Sequence, residues 1–382
     1  MDITEKFFIE CVKAGLDGTE ISELPKGLSF STFYNLCVFQ SVSVIVFFAL
    51  QKVKNDLPSK FYECLKASVK RYVIKDAQLN ADTETVLNAF EKDGVKFMPL
   101  KGYYLKNLYP KSEMRFTSDC DILIDKKEIK RVRKSIKNLG LYIIRFDEHH
   151  DIVYFGATKS VFELHKKLFV GKLGKYFGVG FEKAKQKEGC NYFYELSPED
   201  FYMTMIAHTA YHFSKEGGAG IRHLTDIYVY RKRYKLNDEY LSQEFNKCGL
   251  RDFQVKLEKL AKYFFEDGEA DEFTLKLADY VLSSTVLGNE GKKSAAEISA
   301  CGTKNKALFK MVFPPVSYMR FSYPILNRIV ILLPLFYVVR WFRIIFQTPK
   351  RLSRIKEISS VTKEEIKQVK EIRAGLGIND LI

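Results

Sequence analysis

The chain has 382 residues, a formal net charge of +14 and 46% hydrophobic content. This length is enough for two or three packed units, and the apolar content excludes wholesale disorder. The positive balance implies an anionic partner: a nucleotide, a nucleic acid, an acidic glycan or an anionic lipid surface. Seven cysteines without CxxC spacing argue against a disulfide framework and a zinc site, and imply a reducing, cytoplasmic setting. Asp2, Glu5 and Lys6 keep the segment Met1 to Glu10 from reading as a signal peptide.

In chain order, residues 1–85 read as an N-terminal helical segment. Phe30 to Leu50 is uncharged, but Ser31, Thr32, Asn35, Gln40, Ser41 and Ser43 dilute it, so a buried helix or helix pair is expected rather than a membrane span. Val86 to Phe90 opens a helix that Gly94 stops, and Lys96 to Leu100 reads as the first core strand. Lys101-Gly102-Tyr103 follows, a cation and then a glycine where backbone can approach a phosphate.

The run Arg115 to Ile124 carries the strongest chemical signal. Asp119 and Asp121 share one face of a strand, with Cys120 and Ile122 on the other. Two carboxylates that close repel each other, and a divalent cation such as magnesium offsets the cost. The stretch Lys126 to Leu139 reads as a basic helix with a solvated charged face, and no recognisable nucleic-acid module accompanies it, so nucleic acid is not the expected partner. Tyr142–Phe146 and Ile152–Phe155 read as strands around a solvated turn that holds Asp147, Glu148, His149, His150 and Asp151. In Ser160 to His165, Val161, Glu163 and His165 share a face, so Glu163 on a neighbouring strand would complete an acid triad.

Beyond this region Gly171, Gly174, Gly178 and Gly180 mark a loop, and Ser197-Pro198-Glu199-Asp200 starts a helix. That helix places His208 and His212 on one face in a structural or substrate-facing role. Gly217 to Gly220 reads as a flexible break. Arg222 and Asp226, one turn apart in the next helix, either pair on its surface or face the site. Ile329 to Val339 is uncharged and interrupted by Pro334, too short to cross a bilayer. On a helical wheel Arg328, Arg340 and Arg343 cluster and leave an apolar face that includes Trp341, expected to pack on the catalytic unit or a partner, or else to lie in an anionic membrane surface through residues 325–346. The last thirty residues read as a solvated helix with a loose end. The expected units are residues 1–85, a core at 86–196, a helical domain at 197–300 and a basic, apolar helical tail at 301–382.

Leu100-Lys101-Gly102, Tyr109-Pro110, Arg115, the Asp119/Asp121 pair running into Ile122-Leu123-Ile124, and Phe162-Glu163-Leu164-His165 resemble the nucleotidyltransferases of the DNA polymerase beta-like superfamily, and more closely a family of uncharacterised bacterial nucleotidyltransferases. Ile206-Ala207-His208 and Ile221 to Ile227 resemble that family's helical half. The resemblance implies an α+β fold, a small mixed sheet flanked by helices with helical segments before and after. It implies a two-metal, magnesium-dependent attack of an unidentified hydroxyl acceptor on the α-phosphate of a nucleoside triphosphate, releasing pyrophosphate. On this resemblance Asp119 and Asp121 are metal ligands, and Glu163 is a third ligand or the base. Lys101, Gly102 and Arg115 contact the nucleotide, and His208, Arg222 and Asp226 face the substrate. The superfamily usually has Gly-Ser in its phosphate turn, whereas Tyr103 follows Gly102 here. The alternative is a non-catalytic module of the same fold that docks a membrane surface or a protein partner.

Overall fold

Asp2 accepts a hydrogen bond from the Glu5 amide, and the Glu5 carboxylate accepts one from the Asp2 amide, a reciprocal cap that starts α1 (Ile3–Asp17). The computed structural model describes residues 1–146, 150–285, 290–347, 349–379 and 381. The apolar stretch after α1 forms a helix pair, α2 (Phe30–Phe39) and α3 (Ser43–Ala49); α3 is largely buried as expected, whereas α2 buries only Phe33 and Cys37 and leaves Val38 and Phe39 exposed. No helix among the described residues is long and apolar enough to cross a membrane.

The helix α4 (Ser59–Lys92) runs unbroken for 34 residues and serves two cores. Phe61, Leu65 and Val69 near its start pack with Phe33 and Val46 in the helical core. Leu79, Val86, Leu87 and Phe90 near its end pack beneath a sheet. Residues 85 and 86 therefore lie inside one continuous helix.

The sheet contains β1 (Phe97–Pro99), β2 (Asp119–Ile124), β3 (Leu141–Phe146), β4 (His150–Phe155) and β5 (Val161–His165), in the order β1-β2-β5-β4-β3. A short helix, α5 (Gly102–Leu105), follows β1, and α6 (Ile129–Asn138) follows β2. β2 and β5 are parallel, and the other neighbours are antiparallel. Cys120, Ile122, Ile124, Phe162 and Leu164 face α4 and α6, where Val132 and Ile136 complete that core. The lysines and arginines of α6 are exposed, as its amphipathic pattern requires, with Arg133 reaching back to the buried Asp151.

The solvated turn expected before β4 is corrected in part. Asp147, Glu148 and His149 lie outside the described residues. Asp151 is fully buried, paired with Lys166 at 2.6 Å and Arg133 at 3.1 Å, because it sits within β4. The glycine-rich stretch expected as a loop includes α7 (Gly171–Phe177), and a pair of two-residue antiparallel strands, β6 (Lys185–Gln186) with β7 (Tyr194–Glu195), follows it.

The helical half comprises α8 (Pro198–Lys215), α9 (Arg222–Arg233), α10 (Asp238–Cys248), α11 (Arg251–Phe265), α12 (Glu272–Leu282) and α13 (Glu290–Cys301). Ser197 caps α8 by accepting from the Asp200 amide, with Pro198 in its first turn. The segment Gly217 to Gly220 is buried rather than a flexible break. A Cβ on Gly217 would lie 2.3 Å from the Lys292 backbone, and one on Gly220 would lie 2.6 Å from the Gln40 side-chain oxygen. That same Gln40 oxygen accepts from the Ile221 amide at 2.8 Å and locks the segment in place. The basic cluster in α9 is engaged by carboxylates: Arg231 by Glu258 and Asp238, and Lys232 by Asp17.

The tail contains α14 (Lys304–Val312), α15 (Val316–Ser322), α16 (Leu333–Gln347), α17 (Pro349–Ser360) and α18 (Lys363–Gly375). Its end is not loose. Val369, Ile372, Leu376, Ile378 and Leu381 join the helical core. The helical-wheel reading of α16 is also corrected: Arg340 is 7% exposed, and Trp341 turns inward to donate its indole N–H to the Val312 carbonyl at 3.0 Å. A wheel assigns every charge outward, but this guanidinium lies on the packed side with Trp341 and Tyr337.

Candidate active site

The parallel register of β2 and β5 sets Asp121 directly opposite Glu163 and Asp119 opposite Val161. Period-two alternation puts Asp119, Asp121, Glu163 and His165 on the face away from α4 and α6. Asp121 Oδ1 accepts from two groups, the Lys101 ammonium at 3.0 Å and His165 Nε2 at 2.7 Å. His165 Nε2 also lies 3.5 Å from a Glu163 oxygen.

The electrostatics follow from this crowding. Burial opposes ionisation of Asp121, but Lys101 and His165 outweigh it and hold its carboxyl well below the usual range. Glu163 is lowered chiefly by its hydrogen bond from His165. Asp119 is pushed the other way, first by burial and then by the negative charges of Asp121 and Glu163. Burial favours neutral His165, yet its contacts with Asp121 and Glu163 raise its pKa overall.

Lys101 reaches Asp121 from the turn after β1, which is fastened to β2 by the Leu100 amide donating to the Asp121 carbonyl at 2.9 Å. Its backbone has φ +42° and ψ −108°, a conformation that L-residues rarely adopt and that costs on the order of 1–3 kcal/mol. The next residue must be small. A Cβ on Gly102 would lie 2.8 Å from Arg115 Nη1 and 3.0 Å from Thr117 Cγ2. Tyr103 packs on Tyr104 and Phe193.

Arg115 is buried and holds Asp226 with two contacts, Nε to Oδ1 at 2.7 Å and Nη2 to Oδ2 at 2.8 Å. Asp226 therefore pairs across to the segment before β2 instead of along its own helix with Arg222. Arg222 donates to the Phe116 carbonyl at 2.9 Å, and burial together with the nearby Arg115 lowers its pKa to about 10. The Phe116 ring lies 4.3 Å from that of Tyr72 on α4. Two helices thus hold the loop that delivers Asp119 and Asp121.

His208 and His212 on α8 have ring centroids 4.5 Å apart, and His223 of α9 lies 5.2 Å from His212. Burial, the Lys101 charge and the neighbouring histidines keep His208 largely neutral, and burial with His223 and Lys101 does the same to His212. Sequence reasoning missed His165 and His223 as members of the site. His165 carried a readable signal, two positions after Glu163 in a strand. His223 did not, because only the packing of α9 on α8 brings it there.

Asp121, Glu163 and His165 present ligand atoms that all lie within 4.8 Å of one another, a spread compatible with one divalent ion at ligand distances of about 2–2.5 Å. Asp119 lies outside that cluster, two register positions away on the same face. Carboxylates from two parallel strands beside a lysine–glycine turn, backed by a helical half, suit the binding of a cation and a polyphosphate. Residues 27–266 match the model of a family described as uncharacterised nucleotidyltransferase, and the chain belongs to that family. No curated protein and no solved structure matches it.

Proposed function

We propose that the chain transfers a nucleoside monophosphate from a nucleoside triphosphate to a hydroxyl acceptor, releasing pyrophosphate, as in the DNA polymerase beta-like superfamily that its motifs resemble. The observation that carries this reading is Asp121 facing Glu163 in parallel register with the Lys101 ammonium on the same carboxylate. Magnesium held by Asp119, Asp121 and Glu163, with His165 beside them as a further ligand, would neutralise charge on the attacking and leaving oxygens. Lys101 contacts the triphosphate as a compact point charge, and Gly102 lets the backbone come close to it. Thr117, whose side chain lies against Gly102, supplies the hydroxyl that Tyr103 does not. Arg115 positions this turn through its hold on Asp226.

Glu163 takes the proton of the acceptor hydroxyl. The new bond joins the acceptor oxygen to the α-phosphorus, and the bond between the α-phosphorus and its bridging oxygen breaks, so that the electron pair leaves with pyrophosphate. His208 and Arg222, on the helical half, border the acceptor side. All seven cysteines are unpaired, which supports a reducing, cytoplasmic setting.

The test is calorimetric titration of each nucleoside triphosphate into wild type and Asp121→Asn, with and without magnesium. Magnesium-dependent binding in wild type that the variant loses supports the reading. Equal binding by both proteins would remove Asp121 from any metal site and favour a non-catalytic module.

A further inference from the structure

The tail carries an observation independent of the active site. Between Glu297 and Glu357 the chain contains no aspartate or glutamate and eleven lysines and arginines. Within this acid-free stretch α16 turns Tyr337 and Trp341 inward. Tyr337 donates to the Pro314 carbonyl at 2.6 Å, Trp341 to the Val312 carbonyl, and Phe313 packs between both rings.

Among the described side chains, an apolar stripe stays outside. Leu335, Val338, Val339 and Phe342 are 57, 40, 43 and 57% exposed and fall on one side of α16, and Ile331, in the turn before the helix, is 85% exposed. Ile325, Ile329 and Val330, just before it, are exposed as well, and so are Arg320, Arg328 and Arg343. A contiguous apolar surface of this kind marks an interaction site.

Charge complementarity decides the partner. A second copy would bring the same acid-free, cationic stretch against itself, and like charges across an interface oppose association. A bilayer with anionic headgroups satisfies both features at once: aliphatic and aromatic side chains enter the acyl boundary while lysines and arginines meet the headgroups. At about 1.5 Å per residue, α16 is roughly 22 Å long, short of the about 30 Å needed to cross. We infer that residues 325–343 dock the protein on an anionic lipid surface, with α16 lying in the plane of the interface.

Co-sedimentation of the full chain with phosphatidylglycerol-containing vesicles and with pure phosphatidylcholine vesicles tests this inference. Wild type is expected to bind the anionic vesicles in preference and to lose binding in high salt. The double variant Leu335→Glu/Phe342→Glu is expected to bind at least about tenfold more weakly, from lost apolar burial alone. Both positions are exposed, so its thermal unfolding and nucleotide binding should match those of wild type, which separates this result from any failure at the active site. Equal vesicle binding by variant and wild type, or none by wild type, overturns the inference. A dimer that the double variant disperses, in a protein that ignores vesicles, also overturns it and assigns the stripe to a second copy.

Discussion

Arg115 grips Asp226 through two guanidinium nitrogens, with the two side chains only 7% and 5% exposed. The Tyr109 hydroxyl adds a third contact to the same carboxylate at 2.7 Å and also reaches Thr225 at 2.8 Å. The acids of β2 are therefore placed by the helical half as much as by the sheet, because the loop that precedes them is tied to α9.

Removing one partner of that pair strands a buried charge. Asp226→Asn or Arg115→Met is expected to cost about 3–5 kcal/mol in denaturant unfolding, and the double variant Arg115→Met/Asp226→Leu clearly less than the sum of the two single changes. Additive losses would show that the pair is not coupled.

Gly102→Ala probes the crowded phosphate turn. The added methyl meets Arg115 and Thr117 at 3.0 Å or less, and accommodating it is expected to cost about 1–3 kcal/mol and to weaken nucleotide binding. Unfolding midpoints and titration calorimetry measure the two effects separately.

The imidazole of His165 beside two carboxylates favours a borderline transition metal more than an all-oxygen site does. His165→Ala is expected to reduce Mn²⁺ affinity by more than it reduces Mg²⁺ affinity. Electron paramagnetic resonance of bound Mn²⁺ reads this directly, since coupling to a ring nitrogen should be present in wild type and absent in the variant.

Lys292 is 8% exposed, and burial lowers its pKa to about 7, while its ammonium contacts the Tyr280 carbonyl and the hydroxyls of Ser283 and Ser284. An unfolded chain keeps this lysine protonated up to about 10.4, so between those values the unfolded state binds the extra proton and stability rises with pH. The contribution is fully present above the unfolded value and is lost as pH falls through about 7. Wild type should gain up to about 1.4 kcal/mol per pH unit across this window relative to Lys292→Met. Parallel stability curves for the two proteins would contradict it.

Alternation along single strands was readable: Asp119 with Asp121, and Glu163 with His165, share their faces as period two requires. The pairing of the two strands was not, because a helix and a hairpin intervene between β2 and β5 and their register rests on the packing of Ile122, Phe162 and Leu164. Buried charge was the other blind spot. Asp151, Asp226 and Arg340 all sit inside, and polarity alone assigns such residues to the surface until a partner across the fold is known. The glycines at 217–220 misled for a related reason, since close packing against Lys292 and Gln40 demands the same residue type as a free turn.

The most direct measurement is the thermal stability of wild type and of the Asp119→Asn/Asp121→Asn variant against each nucleoside triphosphate, with and without magnesium. A ligand that binds the native state raises its stability by mass action, so no acceptor need be known. The account predicts a magnesium-dependent stabilisation by at least one nucleotide in wild type and none in the variant. The same stabilisation in both proteins, or in neither, would contradict a nucleotide and metal site at Asp119 and Asp121.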